Sequence, residues 1–350
     1  MVDHSVVRAE VSDLDASQKP ESWLPHLTGL VLPLVVISGN LLGGWLTLLG
    51  IVLALGIYPI LDVLLGEAKQ RGAVPTDGRP FEIILLLGSL LPFFGLATLF
   101  YRATLDGSEW TTWAAALSTG IGSGQGIIVA HELGHRKPRS ARWWLARVLL
   151  FSVHYTHFTT EHNHNHHRNT AIHDIDAASA PYRRGLWMQV ARTVPLQFIS
   201  AVRIHQQRGK KGVRNPVLQV FGLQIIAVIV VWQLLGLWVT LAWLVAAVFA
   251  IFLLEYVNYI RHWGLKREPG ERQTHMHSWQ TEARLSRWVL LELTIHPAHH
   301  MKASAPFWQL RAYDDAPTLP AGYFACFWPC LFPPLWKRWV GKGIPEEQRA

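Results

Sequence analysis

A succession of long apolar runs limits the folds open to this chain. They lie at about 24–41, 43–65, 82–101, 111–130, 217–236 and 238–258. Each approaches the ~20 residues that an α-helix needs to cross ~30 Å of hydrocarbon. Several exceed 18 residues with almost no charge, which suits buried helices of a large soluble protein less well. In lipid the backbone must satisfy its own hydrogen bonds, and a helix does so within one segment. The sequence therefore predicts an all-α, polytopic membrane protein with about six transmembrane helices.

The first run follows more than 20 polar residues and lacks a basic leader and a small-residue cleavage site, so it does not read as a cleaved signal peptide. Residues 1–22 read as a polar N-terminal tail and 23–350 as a single membrane domain. The short connections near 42, 102–110 and 237 hold one basic residue, Arg102. The other basic residues lie in the tails and in 66–80, 131–216 and 259–350. By the positive-inside rule the last two are cytoplasmic segments of a multi-pass protein of the cell inner membrane. The net charge of +8 is then a topology signal, with contact to anionic membrane lipid, and no recognisable nucleic-acid module carries it. Segment 316–336, with Pro317, Pro320, Pro329, Pro333 and Pro334, reads with Trp328, Trp336 and Trp339 as interfacial. A cytoplasmic disulfide between Cys326 and Cys330 is not expected; they read as packing residues.

An even number of crossings separates the polar segments, so four histidine clusters end on one membrane face. They are His131-Glu-Leu-Gly-His135, Glu161-His-Asn-His-Asn-His-His167, Asn258-Tyr-Ile-Arg-His262 and His296-Pro-Ala-His-His300. His131 and His135 share a helix face, as do His162 and His166, with His167 beside them. His296, His299 and His300 have i, i+3, i+4 spacing. These nine imidazoles are too many for one ion and ask for two metals. Imidazole suits Fe, Cu, Zn and Ni, and the scarcity of carboxylates argues against Mg, Ca and Mn. Glu161, Asp174, Asp176, Glu255 and Glu292 are close enough in sequence to hold free ring N–H groups. Among the other histidines, His277 is the best candidate for a supporting role, ahead of His154, His157, His164, His173, His205 and His275.

Three other readings compete. HExxH is also the zinc-protease pattern, with Glu132 as base, but such a protease needs no further clusters. A metal transporter would place ligands near the membrane midplane, whereas these sit just outside the spans. Gly120-Ile-Gly-Ser-Gly-Gln-Gly126 departs from GxGxxG and reads as a close-packing surface. With no flavin, nicotinamide or iron–sulfur motif present, electrons for oxygen chemistry must come from another protein, docking on the basic face. By membrane depth, Ala54, Leu55, Tyr58 and Trp113 are candidates to line a substrate pocket. Asp62, at the end of the second run, is either a helix-end residue or an organiser of protons and water.

The clusters resemble those of the integral-membrane alkane 1-monooxygenases and their xylene-monooxygenase relatives, within the membrane fatty-acid desaturase/hydroxylase superfamily. The family patterns HELxHK, EHxxGHH, NYxEHYGL and LQRHxxHH appear here as HELGHR at 131–136, EHNHNHH at 161–167, NYIRHWGL at 258–265 and TIHPAHH at 294–300. Further matches are Leu61-Asp62-Val-Leu-Leu-Gly66-Glu67, His277-Ser-Trp279 and the stretch from Asp314 to Gly322. The resemblance spans roughly 55–340. It implies six transmembrane helices in one membrane oxygenase domain, 23–350. It implies a centre of two non-haem Fe held by His131, His135, His162, His166, His167, His262, His296, His299 and His300. It implies hydroxylation of a terminal or benzylic carbon of a hydrophobic substrate such as an n-alkane by O2. The implied electron donor is a rubredoxin or ferredoxin with its NAD(P)H reductase. Fatty-acyl desaturation uses the same ligands and is the alternative. Asn165, Arg261 and Thr294-Ile295 depart from the family pattern, and His164 is additional. None of these removes a ligand; Arg261 removes an acidic partner for His262.

Overall fold

A computed structural model of the chain describes residues 19–69 and 72–349. From the N-terminus, α1 (Leu24–Leu42), α2 (Gly44–Leu64), α3 (Arg79–Asp106) and α4 (Trp110–Gly134) run up and down as two hairpins. Three shorter helical stretches follow: α5 (Ala141–Ser152), α6 (158–169) and α7 (Leu186–Gln207). A third hairpin is formed by α8 (Pro216–Leu235) and α9 (Leu237–His262). The C-terminal segment adds α10 (Arg284–Val289), α11 (His296–Met301), α12 (Tyr323–Cys330) and α13 (Pro333–Val340). Among the described residues there is no extended strand, only isolated bridges.

Five of the six expected runs, α1, α2, α3, α8 and α9, are long and apolar enough to cross a membrane. The remaining one, α4, has 25 residues but is richer in Gly, Ser and Thr. Its position explains this: α4 is the hub of the bundle, packed by α9, α3, α5 and α1, so it faces helices more than lipid. Small residues there let backbones approach. A Cβ at Gly120 would stand 2.8 Å from the Ala246 carbonyl oxygen, and one at Gly126 would stand 2.6 Å from the Pro92 ring. The glycine run is thus a close-packing surface, as its sequence suggested. By contrast α8 turns Phe221, Ile225, Ile229 and Trp232 outward, an apolar face suited to lipid. The chain is a multi-pass membrane protein.

At the end of the bundle away from the histidines, Trp45 packs on Trp110 and Trp113 on Trp238, a belt of the kind found at membrane interfaces. Arg102 closes this end by donating to the Asn40 and Leu41 carbonyls at 2.8 Å. The opposite end is capped by α5–α7 and α10–α13. Here Trp336 is fully buried among Trp263, Tyr259 and Trp339, because the prolines start a short amphipathic helix whose apolar face packs inward. Trp328 is half exposed, and its indole donates to the Leu55 carbonyl. Cys326 and Cys330 are free and buried.

Of the expected tail, residues 1–18 lie outside the described residues. Glu21 and His26 are anchored. Arg287 bridges Glu292 at 2.7 and 3.0 Å and Glu21 at 3.0 Å, while His26 meets Glu292 at 3.1 Å. Burial works against the Glu292 carboxylate, but Arg287 and His26 outweigh it and hold the group well below the ordinary carboxyl range.

Candidate metal centre

The nine histidines converge into two groups. His131, His135, His162, His167 and His299 form one; His166, His262, His296 and His300 form the other. Within each group, one nitrogen per ring lies within 4.8 Å of all the others. Local geometry decides the division. His131 and His135 sit one turn apart at the end of α4. In α6 the backbone from His162 to His166 is a π-turn, and its i→i+5 repeat aligns His162 with His167. Their Nε2 atoms are 3.0 Å apart, while His166 turns to the other group. In α11, His296 and His300 share a face toward His262, and His299 points the other way.

The first group contains a closed circuit of Nε2 contacts: His131–His162 and His162–His167 at 3.0 Å, His167–His299 at 3.2 Å, His299–His131 at 2.9 Å. Nitrogens bound at right angles by one ion at ~2.1 Å stand ~3.0 Å apart, the spacing found here. In the second group His296 lies 3.0 Å from His262 and 2.8 Å from His300. The buried Nε2 atoms of His135 and His166 have no protein partner. Lone pairs aimed at common points, with orphaned nitrogens among them, fit two cations. Burial first, then the neighbouring rings, holds His162, His167, His299 and His300 far below the usual imidazole range. The rings are therefore neutral, the form that binds metal.

Asp176 is fully buried and holds His166 Nδ1 at 3.0 Å. Thr170 and Gln273 stand 3.2 and 3.1 Å from His300 Nδ1. Glu161 is buried and accepts from Asn165 rather than from a ring; burial and neighbouring Asp176 push it up to about 7. His277 caps its own short turn at Thr274. Asp174 is exposed and lines a separate cavity with Asn165 and Arg192. Glu255 accepts from Tyr155, Gln197 and Asn258, and Glu292 belongs to the latch with His26. Glu132 accepts from Arg136 at 3.1 Å, engaged by a cation where a protease base would need water.

Next to the first group lies a cavity of about 90 Å³. Its wall is almost wholly apolar, with Ala54, Leu55, Ile121, Leu253 and Phe327 among the lining residues, and His131 at its metal-facing end. Ala54 and Leu55 are in the wall as expected, on the π-turn Val52–Ile57 of α2. Tyr58 packs behind the lining residue Phe324. Trp113 lies at the far aromatic belt. Asp62 does not line this cavity. Its carboxylate accepts from Ser286 N and Oγ and from the amides of Phe324 and Ala325 at 2.8–3.2 Å, capping the starts of α10 and α12.

Two lining residues escaped the sequence reading as pocket groups. Arg261 is buried, and its Nη1 donates to His296 Nδ1 at 3.2 Å. Tyr323 is buried with an unpartnered hydroxyl. Residue 261 stood out in sequence only as a departure from the family pattern, and nothing in the local sequence marks Tyr323.

Residues 108–329 match the fatty acid desaturase family. The chain is 30% identical to alkane 1-monooxygenase 1 of Pseudomonas aeruginosa over 82% of its own length and 80% of that protein's. It is 30% identical to alkane 1-monooxygenase 1 of Alcanivorax borkumensis over 87% and 79%. It is 26% identical to the xylene/toluene monooxygenase hydroxylase component of Pseudomonas putida over 62% and 59%. The histidine groups, the apolar cavity beside them and these matches lead to one conclusion: the chain belongs to the fatty acid desaturase family, among its membrane-bound alkane monooxygenases, and is an oxygen-dependent oxidoreductase.

Proposed function

We propose that this protein is a non-haem di-iron monooxygenase that hydroxylates a terminal or benzylic carbon of a hydrophobic substrate of the n-alkane or alkylaromatic class. The observation that carries this reading is the position of His131, which belongs to the five-ring group and also forms part of the cavity wall. The five rings would hold one iron and the four rings the other. The bound pair would supply the oxygen-activating redox chemistry that side chains lack. One oxygen atom of O2 enters the substrate and the other leaves as water, with two electrons and two protons supplied from outside.

The chain's own residues do the rest. The apolar wall holds the substrate and excludes water. Asp176 fixes the tautomer of His166. The basic segments favour a cytoplasmic histidine face in the cell inner membrane. There a rubredoxin or ferredoxin, reduced by its NAD(P)H reductase, would deliver electrons. We further propose one domain, 23–350. The deciding experiment supplies the purified, iron-loaded protein with reductase, rubredoxin, O2 and octane or xylene. Formation of 1-octanol or methylbenzyl alcohol supports the reading; an alkene product, or one zinc and no iron per chain, defeats it.

A further inference from the structure

The polar groups of the cavity are few, and Arg261 and Tyr323 are two of them. Arg261 brings a guanidinium, buried to 1% exposure. It donates to the Val257 carbonyl, to Asn258 Oδ1 and to His296 Nδ1, and among the described residues no carboxylate forms an ion pair with it. Glu255 acts on it from behind the Asn258 amide, which donates to the Glu255 carboxylate at 3.1 Å. Tyr323, 2% exposed, lies within electrostatic reach of the guanidinium and has an unpartnered hydroxyl. Both residues line the cavity. A buried cation whose carboxylate partner is one side chain removed and a buried O–H without an acceptor are each costly, and one anionic oxygen group at the cavity wall satisfies both.

We propose that Arg261 and Tyr323 form a carboxylate seat, and that among the hydrophobic molecules this cavity admits it prefers those bearing a carboxylate to the plain hydrocarbon. This rests on the function proposed above for the oxidation itself, but not for the binding.

The test uses the full-length protein in lipid nanodiscs at pH 8, with and without iron, and radiolabelled decane, 1-decanol and decanoate. Decanoate is expected to bind at least about tenfold more tightly than decane or decanol. Tyr323→Phe should weaken decanoate at least about tenfold, as for one hydrogen bond to a charged group. Its melting temperature should not fall, since the hydroxyl removed has no protein partner. Arg261→Met should abolish the preference. Equal binding of decane and decanoate, decanol binding as tightly as decanoate, or unchanged decanoate binding by Tyr323→Phe would each overturn the proposal. Should decane be hydroxylated without any decanoate preference, the seat falls and the monooxygenase stands. Should decanoate bind as expected while the iron-loaded, reduced enzyme oxidises neither compound, the monooxygenase reading falls and the seat stands.

Discussion

The sharpest consequences of the site attach to single side chains. His299 contacts both His131 and His167, so His299→Ala should remove at least roughly half of the bound iron, read by metal analysis, and abolish turnover. Asp176→Ala leaves His166 without its orienting acceptor and should weaken metal binding roughly 10- to 100-fold, seen as faster loss of iron to a chelator. Glu292 gives a pH-dependent prediction. Its folded carboxyl lies below the ordinary value of 4.5, so its stabilisation is present above about pH 4.5 and is lost as the pH falls below it. Glu292→Gln leaves the buried Arg287 with Glu21 as its remaining carboxylate partner and should cost about 3 kcal/mol at pH 7; the gap between the two melting curves should be constant above about pH 5 and begin to narrow only as the pH falls below about 4.5. Much of the site was readable at this scale, because helical spacing alone places His131 with His135 and His296 with His300. Partners far apart in sequence were not: nothing local joins His26 to Glu292 or Arg261 to Tyr323.

Among elements, the π-turn of α6 sorts the rings. Ordinary helical spacing pairs His162 with His166, but the structure pairs His162 with His167 and sends His166 to the other group. Sequence periodicity assumes 3.6 residues per turn, so the membership of each group was not legible although the ligand set was. The same limit applies to Asp62. The end of an apolar run marks it as a helix-end residue, yet the helices it caps are α10 and α12, more than 220 residues onward. Asp62→Ala should therefore loosen both without emptying the cavity wall, costing about 1–3 kcal/mol. Protease protection around 284–289 and 323–330 should fall first, while protection equal to wild type would contradict the double cap.

For the whole molecule, the apolar runs gave the bundle and its up-and-down order almost completely, since lipid demands a run of fixed length for each crossing. What they did not give was rank: α4, the least apolar of the six, is the central one, and its Gly, Ser and Thr content reflects helix neighbours. The proposed orientation makes a direct forecast. In intact spheroplasts an impermeant maleimide should label Ser108→Cys, in the short connection by the aromatic belt. It should label Lys211→Cys, beside the histidine end, only after the membrane is opened. Finally, the latch joins Glu21 and His26 to Arg287 and Glu292, each pair 266 residues apart. During translation the first helix is inserted long before its partner exists, so the scaffold of the fourth cluster closes only when nearly all of the chain has left the ribosome. Assembly of the metal centre is then a late event in biogenesis, and a nascent chain arrested before residue 292 carries three clusters but no finished centre.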